Sequence, residues 1–246
     1  MWASFSKNRF VYAVALSAWL YGGFLTSQIA VALLLPPLLL LSPREMLAEV
    51  QLMLVASALV YVVAVLLVIG VPALFRAWPS KRALLQTLGI AQKPTWRQLA
   101  WSPIAYIIYF ALTAVVISFI AQLVPSFDLA QEQDLGFSNI SALHEYVAAF
   151  VALVICAPIA EELLFRGFLF GKLRERLAFI PTALAVSLLF GFVHGQWNVA
   201  IDTFFLSLAL SYLREKSGTL WPSMLLHMIK NGVAYYFLFV QPVSIV

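Results

Sequence analysis

An apolar run from about Tyr146 to Gly171 constrains the fold of this chain more than any other sequence feature. It is long enough to cross a bilayer as a helix, which needs about 20 residues. Three formal charges, those of Glu161, Glu162 and Arg166, interrupt the run. A charged side chain at the centre of a membrane helix costs on the order of 3 kcal/mol, so such residues are rare in spans and usually mark a site. The run therefore predicts both a membrane helix and a buried functional site.

The composition of the whole chain is typical of a membrane protein. Of its 246 residues, 63% are hydrophobic and 11% are charged, against roughly 25% charged residues in soluble domains. We predict an all-α fold, a polytopic membrane helix bundle of about seven transmembrane helices. The predicted spans are about 11–35, 50–74, 103–124, 146–171, 180–194, 198–213 and 220–240. Pro36-Pro37 are expected to end the first span. A chain this apolar is not expected to bind nucleic acid.

Basic residues fall in the loops on one side of this seven-helix path. Because cytoplasmic loops collect lysine and arginine, we expect a multi-pass integral protein of the cell (inner) membrane, with its N-terminus in the cytoplasm and its C-terminus outside. Segment 79–101 is expected to lie along the cytoplasmic interface. Segment 126–143 is expected to form an acidic outer loop, with His144 and Glu145 solvated beside it. The single cysteine, Cys156, excludes a disulfide framework and is expected to be a small core residue.

Polar residues of the later spans have the chemistry of a hydrolytic site. Glu162 and Arg166 are four residues apart and share a helix face, whereas Glu161 is turned about 100° away. A carboxylate beside a neutral histidine such as His194 can take a proton from water. His227, with an asparagine one turn further on, can donate hydrogen bonds to a developing oxyanion. These groups suit water attack on a peptide carbonyl. We expect Glu161 to be the base and Glu162 to be the structural partner of Arg166.

Three further residues lie close to these positions. Phe190 sits one turn before His194 on the same face. Asp202 is expected either to cap the sixth span or to face the cavity. Lys230 is too deep to reach an interface by snorkelling, so a carboxylate such as Glu162 is a possible partner. We assign no chemistry to Asp202 or Lys230 from the sequence.

Three motifs on successive spans together resemble a known family. They are Glu161-Glu162-Leu163-Leu164-Phe165-Arg166, Phe190-Gly191-Phe192-Val193-His194 and His227-Met228-Ile229-Lys230-Asn231. In this order they resemble the CPBP family of CAAX proteases and bacteriocin-processing proteins, also called the ABI family. The resemblance covers about residues 141–231. It implies a catalytic core at 141–246, conical and built from the last four helices, after N-terminal transmembrane helices and an interfacial segment at 1–140.

The resemblance implies an intramembrane endopeptidase of glutamate type. Four residues would be catalytic, the first two by activating water and the last two by holding the oxyanion: Glu161, His194, His227 and Asn231. Three more would support the site: Glu162, Arg166 and Phe190. The implied partners are the lipid bilayer and a peptide or protein substrate that reaches the membrane, with either a prenylated C-terminus or a processed peptide as the target.

Three alternatives stay open. Zinc could be held by Glu161, His194 and His227, because three such ligands and an open water position define a catalytic zinc site. The chain lacks a His-Glu-x-x-His helix, so we favour catalysis with no cofactor. A non-catalytic membrane partner, such as a bacteriocin-immunity or regulatory protein, would keep its phenotype when Glu161 or His194 is replaced. A proton-coupled transporter ranks last, because the polar residues cluster at one level.

Overall fold

The computed structural model describes residues 7–40, 49–124, 140 and 142–241. Most of these residues are in helices and none of them is in a strand, which confirms the all-α fold class. We label the helices in chain order. They are α1 (Arg9–Leu40), α2 (Glu49–Val65 continued by Leu66–Gly70 and Val71–Leu74), α3 (Lys81–Leu88), α4 (Trp96–Leu123), α5 (Leu143–Arg174), α6 (Phe179–Phe192), α7 (Trp197–Ser217) and α8 (Trp221–Tyr235 continued by Tyr236–Val240).

Four of these helices are long and apolar enough to cross a membrane, so the chain is an integral membrane protein. They are Arg9–Pro37 within α1, Leu52–Leu74 within α2, Trp96–Leu123 and Leu143–Arg174. α6 is apolar but has only 14 residues. It is therefore about 21 Å long at 1.5 Å per residue, shorter than a hydrocarbon layer of about 30 Å. Helices occupy all seven predicted positions, while seven membrane crossings stay a prediction.

The chain folds as two compact units. The first takes its described residues from Met1–Pro79, Asp134–Leu164 and Asn231–Val246, and the second from Ser80–Gln133 and Phe165–Lys230. α5 and α8 each contribute residues to both units. The predicted boundary at residue 140 stays a prediction, and most of the predicted acidic loop at 126–143 lies outside the described residues.

Close packing of α1 against α2 in the first unit depends on a glycine. A Cβ atom at Gly23 would lie 2.6 Å from Cγ2 of Val68, too close for any residue with a side chain unless the valine moves. Val68 is fully buried, and its carbonyl oxygen accepts a hydrogen bond from the Trp19 indole at 3.1 Å. Small residues at such contacts let membrane helices approach closely. A second core of this unit joins α2, α5 and α8 through Leu54, Ala149, Val154 and Tyr235.

In the second unit α6 and α7 form a tight hairpin. A Cβ atom at Gly191 of α6 would lie 2.7 Å from the Ala200 carbonyl oxygen of α7. In the connecting turn Gly195 has a φ of +76°, a left-handed conformation that favours glycine. The Gln196 N–H donates to the His194 carbonyl oxygen at 2.9 Å. His194, predicted as the last residue of the fifth span, therefore lies two residues beyond the end of α6, in the turn between α6 and α7.

Hydrogen bonds to backbone carbonyls connect α4 with α7 and α8. The Gln98 amide donates to the Ser217 carbonyl oxygen at 3.1 Å, and the Ser102 hydroxyl donates to the Pro222 carbonyl oxygen at 2.8 Å. α4 begins at Trp96, earlier than the predicted start near residue 103, because Thr95 and Gln98 form a capping box that satisfies its first N–H groups. The predicted interfacial segment 79–101 thus contains α3 and the first residues of a membrane-length helix.

Three predictions, on one helix end and on the exposure of two side chains, are wrong. α1 continues through Pro36-Pro37 to Leu40, because prolines near a helix end remove N–H groups from only its last turns. Cys156 is exposed and not a core residue, since a small apolar thiol is also compatible with a lipid-facing surface. Glu145 is buried, with 8% exposure, because its carboxylate accepts a hydrogen bond from the Ala142 N–H at 3.0 Å at the start of α5. The neighbouring histidine is exposed, as predicted.

Candidate active site

The helix that carries the Glu-Glu-x-x-x-Arg motif is irregular. Within α5, the α-helical segment Ala157–Glu162 lies between two π-helical segments, Val151–Cys156 and Leu163–Leu169. π-helical turns are rare and occur often at functional sites. Because their i→i+5 hydrogen bonds widen the turn, the α-helical spacing used to relate Glu162 to Arg166 does not apply across the second π segment. Their pairing stays a prediction.

Glu161 is half-buried in the first unit and bonded to α2. The Tyr61 hydroxyl donates to Oε1 of Glu161 at 2.5 Å. Hydroxyl–carboxylate bonds of this length are among the stronger hydrogen bonds in proteins, so Tyr61 fixes the orientation of the carboxylate. Tyr61 was not among the residues predicted for the site. Its one signal was a tyrosine near the middle of an apolar span, away from the interfacial belts where tyrosine is enriched.

Asn231 and Glu162 also belong to the first unit. The Asn231 amide donates to the Leu153 carbonyl oxygen at 2.9 Å, and Leu153 lies in the first π-helical segment of α5. An asparagine amide has two N–H donors, and this bond uses one of them. The bond therefore orients the amide of Asn231 relative to α5. Glu162 is fully buried.

In the second unit the Phe190 ring is the centre of a cluster of contacts. Phe190 is fully buried. The His194 and His227 rings meet it edge-on, with centroids 4.9 and 5.8 Å away. The guanidinium carbon of Arg166 lies 4.3 Å from its centroid, within the range of a cation–π interaction. One aromatic ring thus contacts one residue of the first motif, one of the second and one of the third.

A backbone contact determines the tautomer of His194. Its Nδ1 lies 2.6 Å from the Phe190 carbonyl oxygen. A carbonyl oxygen can only accept a hydrogen bond, so Nδ1 carries a proton, and the lone pair of the neutral ring is on Nε2. Nε2 is the atom that can accept a proton from water. His194 is half-buried, whereas His227 is 3% exposed.

Lys230 and Asp202 form an ion pair. Lys230 Nζ lies 3.5 Å from Asp202 Oδ2, and the Tyr109 hydroxyl donates to Asp202 Oδ1. The sequence suggested Glu162 as one carboxylate partner for Lys230, and the structure identifies Asp202. Asp202 is not a cap, because Gln196 occupies the N-cap position of α7.

Among the described residues, no group of three histidine, cysteine, aspartate or glutamate side chains is placed to hold a metal ion. A catalytic zinc site needs three protein ligands and an open position. The residues as placed do not form such a set, and we derive no step through a metal. Zinc dependence is a question for a chelator experiment.

The predicted site residues therefore fall into two sets. The first unit holds Glu161, Glu162 and Asn231, and the second unit holds Arg166, Phe190, His194 and His227. The four residues of the second set meet at the Phe190 ring. The convergence of both sets on one cavity stays a prediction.

Comparisons with known proteins identify the same part of the chain. Residues 143–233 match the family model "Type II CAAX prenyl endopeptidase Rce1-like". The chain is similar to "Putative membrane peptidase YdiL" of Bacillus subtilis (strain 168), with 26% identity over 97 residues, 38% of this chain and 40% of that protein. It is also similar to "Uncharacterized 24.3 kDa protein" of Escherichia coli, with 33% identity over 92 residues, 35% of this chain and 42% of that protein. No solved structure matches the chain.

These matches span about two fifths of the length of the curated relatives, 40% and 42%. The family segment begins at the start of α5 and ends in α8, so it contains all three motifs. The resemblance seen in the sequence is confirmed. Residues 143–233 thus match a Rce1-like type II CAAX prenyl endopeptidase model of the CPBP family, and one relative of this segment is named as a membrane peptidase.

Proposed function

We propose that this protein is an intramembrane endopeptidase that hydrolyses a peptide bond in a substrate reaching the membrane. The observation that supports this most is the cluster at Phe190, where Arg166, His194 and His227 contact one buried ring. These three residues come from three different motifs of the family, and the motifs predict that they belong to a peptidase active site. The family match of residues 143–233 and four membrane-length helices support the same function.

In the proposed reaction Glu161 and His194 activate a water molecule. Tyr61 holds the carboxylate of Glu161 in one orientation, and the Nδ1–H bond of His194 leaves its lone pair on Nε2. One of these groups takes a proton from the water as its oxygen attacks the peptide carbonyl carbon. The electron pair of the C=O bond moves to the oxygen, which becomes an oxyanion.

His227 and Asn231 stabilise that oxyanion by donating hydrogen bonds. Removing one such donor typically lowers kcat by about 100- to 1,000-fold. The C–N bond then breaks, and the proton taken from the water is delivered to the leaving amine. Glu162 and Arg166 order the site, and the contact of Arg166 with the Phe190 ring holds that ring against both histidines.

The proposed substrates are of two classes, a peptide with a prenylated C-terminal cysteine and an unprenylated peptide or leader segment. The first follows from the family description, which names CAAX prenyl endopeptidases. The proposed location is the cell membrane, with the N-terminus in the cytoplasm, because the basic loops fall on that side of the predicted path.

The experiment compares wild type with Glu161→Gln in lipid vesicles, using membrane peptides with and without a prenylated cysteine and mass spectrometry of the products. We expect a defined cut with wild type and about a 100- to 10,000-fold loss of rate in Glu161→Gln, which is the typical contribution of a general base. A matched control is Glu175→Gln, which removes a carboxylate paired with Lys172 at 2.7 Å at the end of α5. We expect this control to keep activity.

Two other outcomes would contradict parts of the proposal. Equal cleavage by wild type and Glu161→Gln would remove Glu161 from the reaction. A cellular phenotype that persists in Glu161→Gln, with no cleavage by either protein, would favour the non-catalytic membrane partner. The same cleavage assay with a metal chelator tests the cofactor. Loss of cleavage that only zinc restores would replace the metal-free mechanism with a zinc mechanism.

A further inference from the structure

The proposed reaction leaves one polar cluster of the second unit without a role. We call Tyr109, Asp202 and Lys230 the α4–α7–α8 cluster, after the helices that carry them. Asp202 is its centre, because Oδ1 accepts from the Tyr109 hydroxyl and Oδ2 pairs with Lys230 at 3.5 Å. Tyr109 is buried, and the Lys230 and Asp202 side chains are 22% and 26% exposed. Both oxygens of one carboxylate are thus engaged by two different helices.

Stability alone is a weak reason for such a cluster. Ionisable residues in membrane segments are costly and tend to mark functional positions. Replacing a buried ion pair by well-packed apolar residues is often neutral or stabilising, so an ion pair is better suited to fixing one arrangement of helices.

Lys230 and His227 lie three residues apart on α8, so they are neighbours on its surface and turn together about the helix axis. The position of Lys230 is set by Asp202 of α7. The His227 ring contacts the Phe190 ring of α6, with a centroid distance of 5.8 Å. α6 and α7 are locked to each other by the close contact at Gly191. A rotation of α8 that broke the ion pair would also move the His227 ring relative to Phe190.

We propose that Tyr109, Asp202 and Lys230 are positioning residues that set the rotation of α8 and so hold His227 in place against Phe190. Lys230 of α8 forms the ion pair with Asp202 of α7. The hydrogen bond from the Tyr109 hydroxyl keeps the Asp202 carboxylate directed towards α8. The kinetic consequence rests on the proposed function, since it assumes that His227 holds the oxyanion. The effect on the placement of His227 does not.

The first test measures the placement of His227 without any substrate. The chain has three histidines, so ¹³C- and ¹⁵N-labelled histidine gives a spectrum that single replacements can assign. The Phe190 ring shifts the proton signals of a histidine held edge-on above or beside it. We expect Lys230→Gln and Tyr109→Phe to shift the His227 ring signals and to leave those of the exposed His144 unchanged.

The matched control is Tyr212→Phe, which removes a hydroxyl from an exposed tyrosine of α7 whose ring lies beside Lys216 and outside the cluster. It is expected to leave the His227 signals in place. Tyr109→Phe changes one hydroxyl only, so it keeps the test decisive even if Lys230→Gln fails to fold. Unchanged His227 signals in Tyr109→Phe would overturn the proposal, whatever the protein's activity.

The second test is kinetic and uses a cleaved peptide from the substrate screen. We expect Lys230→Gln and Tyr109→Phe to lower kcat about 10- to 100-fold with KM within about 3-fold of wild type, since a small misplacement of a catalytic group can cost about 100-fold. Lys230→Arg keeps the charge and is expected to restore kcat to within about 5-fold, although its fork geometry differs. A purely structural role would lower the folded fraction and leave kcat per folded molecule unchanged, which would overturn the proposal.

Discussion

At the scale of single residues, the bond between Tyr61 and Glu161 decides how the proposed base is held. Its oxygen–oxygen distance is 2.5 Å, and both side chains are half-buried. A carboxylate in an apolar span needs hydrogen-bond donors, because an unsatisfied charge in such surroundings is costly. Tyr61 supplies one donor from a different helix. The carboxylate of Glu161, the proposed base, is therefore oriented by α2 as well as by its own helix.

Replacing Tyr61 by phenylalanine removes that donor and little else. We expect Tyr61→Phe to lower kcat about 10- to 100-fold in the peptide assay, because the carboxylate loses its fixed orientation. The control is Tyr236→Phe, which also removes a hydroxyl bond, that to Gln241 at 2.6 Å, but from an exposed tyrosine in α8. Equal rates in Tyr61→Phe and wild type would show that Tyr61 does not orient the base.

The tautomer of His194 is a second prediction at this scale. Because Nδ1 donates to the Phe190 carbonyl oxygen at 2.6 Å, ¹⁵N spectra of labelled histidine at neutral pH should show the proton on Nδ1 and the lone pair on Nε2. A His194→Ala sample assigns the signal. Observation of the Nε2–H tautomer would contradict the assignment and remove Nε2 as a proton acceptor.

The residues of the candidate site could be named from the sequence, whereas their hydrogen-bond partners could not. The spacing of the three motifs predicted Arg166, His194 and His227, and the structure gathers these three at Phe190. Tyr61 is 100 residues from Glu161 in the chain, and no sequence pattern connects the two. Tertiary hydrogen bonds of this kind depend on which helices become neighbours.

At the scale of helices, two adjacent glycines of α1 offer a controlled test of packing. A Cβ atom at Gly22 would have nothing within 4 Å, whereas one at Gly23 would lie 2.6 Å from Val68. We expect Gly23→Ala to destabilise the protein by about 1–3 kcal/mol, as overpacking does. Gly22→Ala should be neutral or stabilising by up to about 1 kcal/mol, because alanine favours the helix.

Thermal unfolding in one detergent compares the two variants directly. The distinction rests on Val68, whose branched side chain is fully buried and has few alternative rotamers. Equal unfolding midpoints for Gly22→Ala and Gly23→Ala would show that α1 does not pack on α2 as described.

The end of α5 is tied to α7 by an ion pair whose contribution depends on pH. Arg174 donates two hydrogen bonds to Glu215, at 2.9 and 2.8 Å. The bonds from Arg174 and its charge lower the pKa of the Glu215 carboxyl in the folded protein. A lowered folded pKa means that the pair stabilises the protein above the ordinary glutamate pKa of about 4.3, and that this contribution is lost as the pH falls below it.

Glu215→Gln tests this pH dependence. Both side chains are partly exposed, 31% and 29%, so the contribution at pH 7 should be at most about 1 kcal/mol. We expect the variant to unfold at a slightly lower temperature than wild type at pH 7, and the difference to shrink as the pH falls below the ordinary glutamate pKa of about 4.3. A difference that grows on acidification would have the wrong sign.

Helix limits were easier to predict than helix irregularities. α6 and α7 begin and end within a few residues of the predicted limits, because the turn Gly195-Gln196 is a local signal. The π-helical segments of α5 were not predictable, since neither Val151–Cys156 nor Leu163–Leu169 has a distinctive composition. α1 also passes its prolines, which shows that a local breaker does not end every helix.

At the scale of the whole molecule, topology can be tested by cysteine labelling. α4 begins and α7 ends on the same side, because Gln98 bonds to the Ser217 carbonyl. In a Cys156→Ala background, we expect Arg97→Cys and Lys216→Cys to react with a membrane-impermeant maleimide in inverted vesicles and not in intact cells. Both positions are exposed. Reaction of either position in intact cells would reverse the predicted orientation.

The family could be recognised from the sequence, but the complete membrane path could not. Three motifs within residues 143–233 suffice for the family match, since each places chemically unusual residues in an apolar helix. The number of crossings depends on helices such as α7, which carries Asp202, Arg214, Glu215 and Lys216. Hydropathy alone cannot separate a polar membrane span from a helix outside the membrane, because ion pairs such as Asp202–Lys230 offset the cost of charge.

The short length of α6 has a consequence for the surrounding lipid. If α6 crosses the membrane from Phe179, as the seven-span prediction has it, a helix of 14 residues ends roughly 9 Å before the far edge of an average hydrocarbon layer. Lipid headgroups and their water must then dip inward at His194, or the acyl chains must shorten locally, as happens under hydrophobic mismatch. Hydration of the hairpin tip would therefore follow bilayer thickness, so that short-chain lipids supply water to His194 more readily than long-chain lipids.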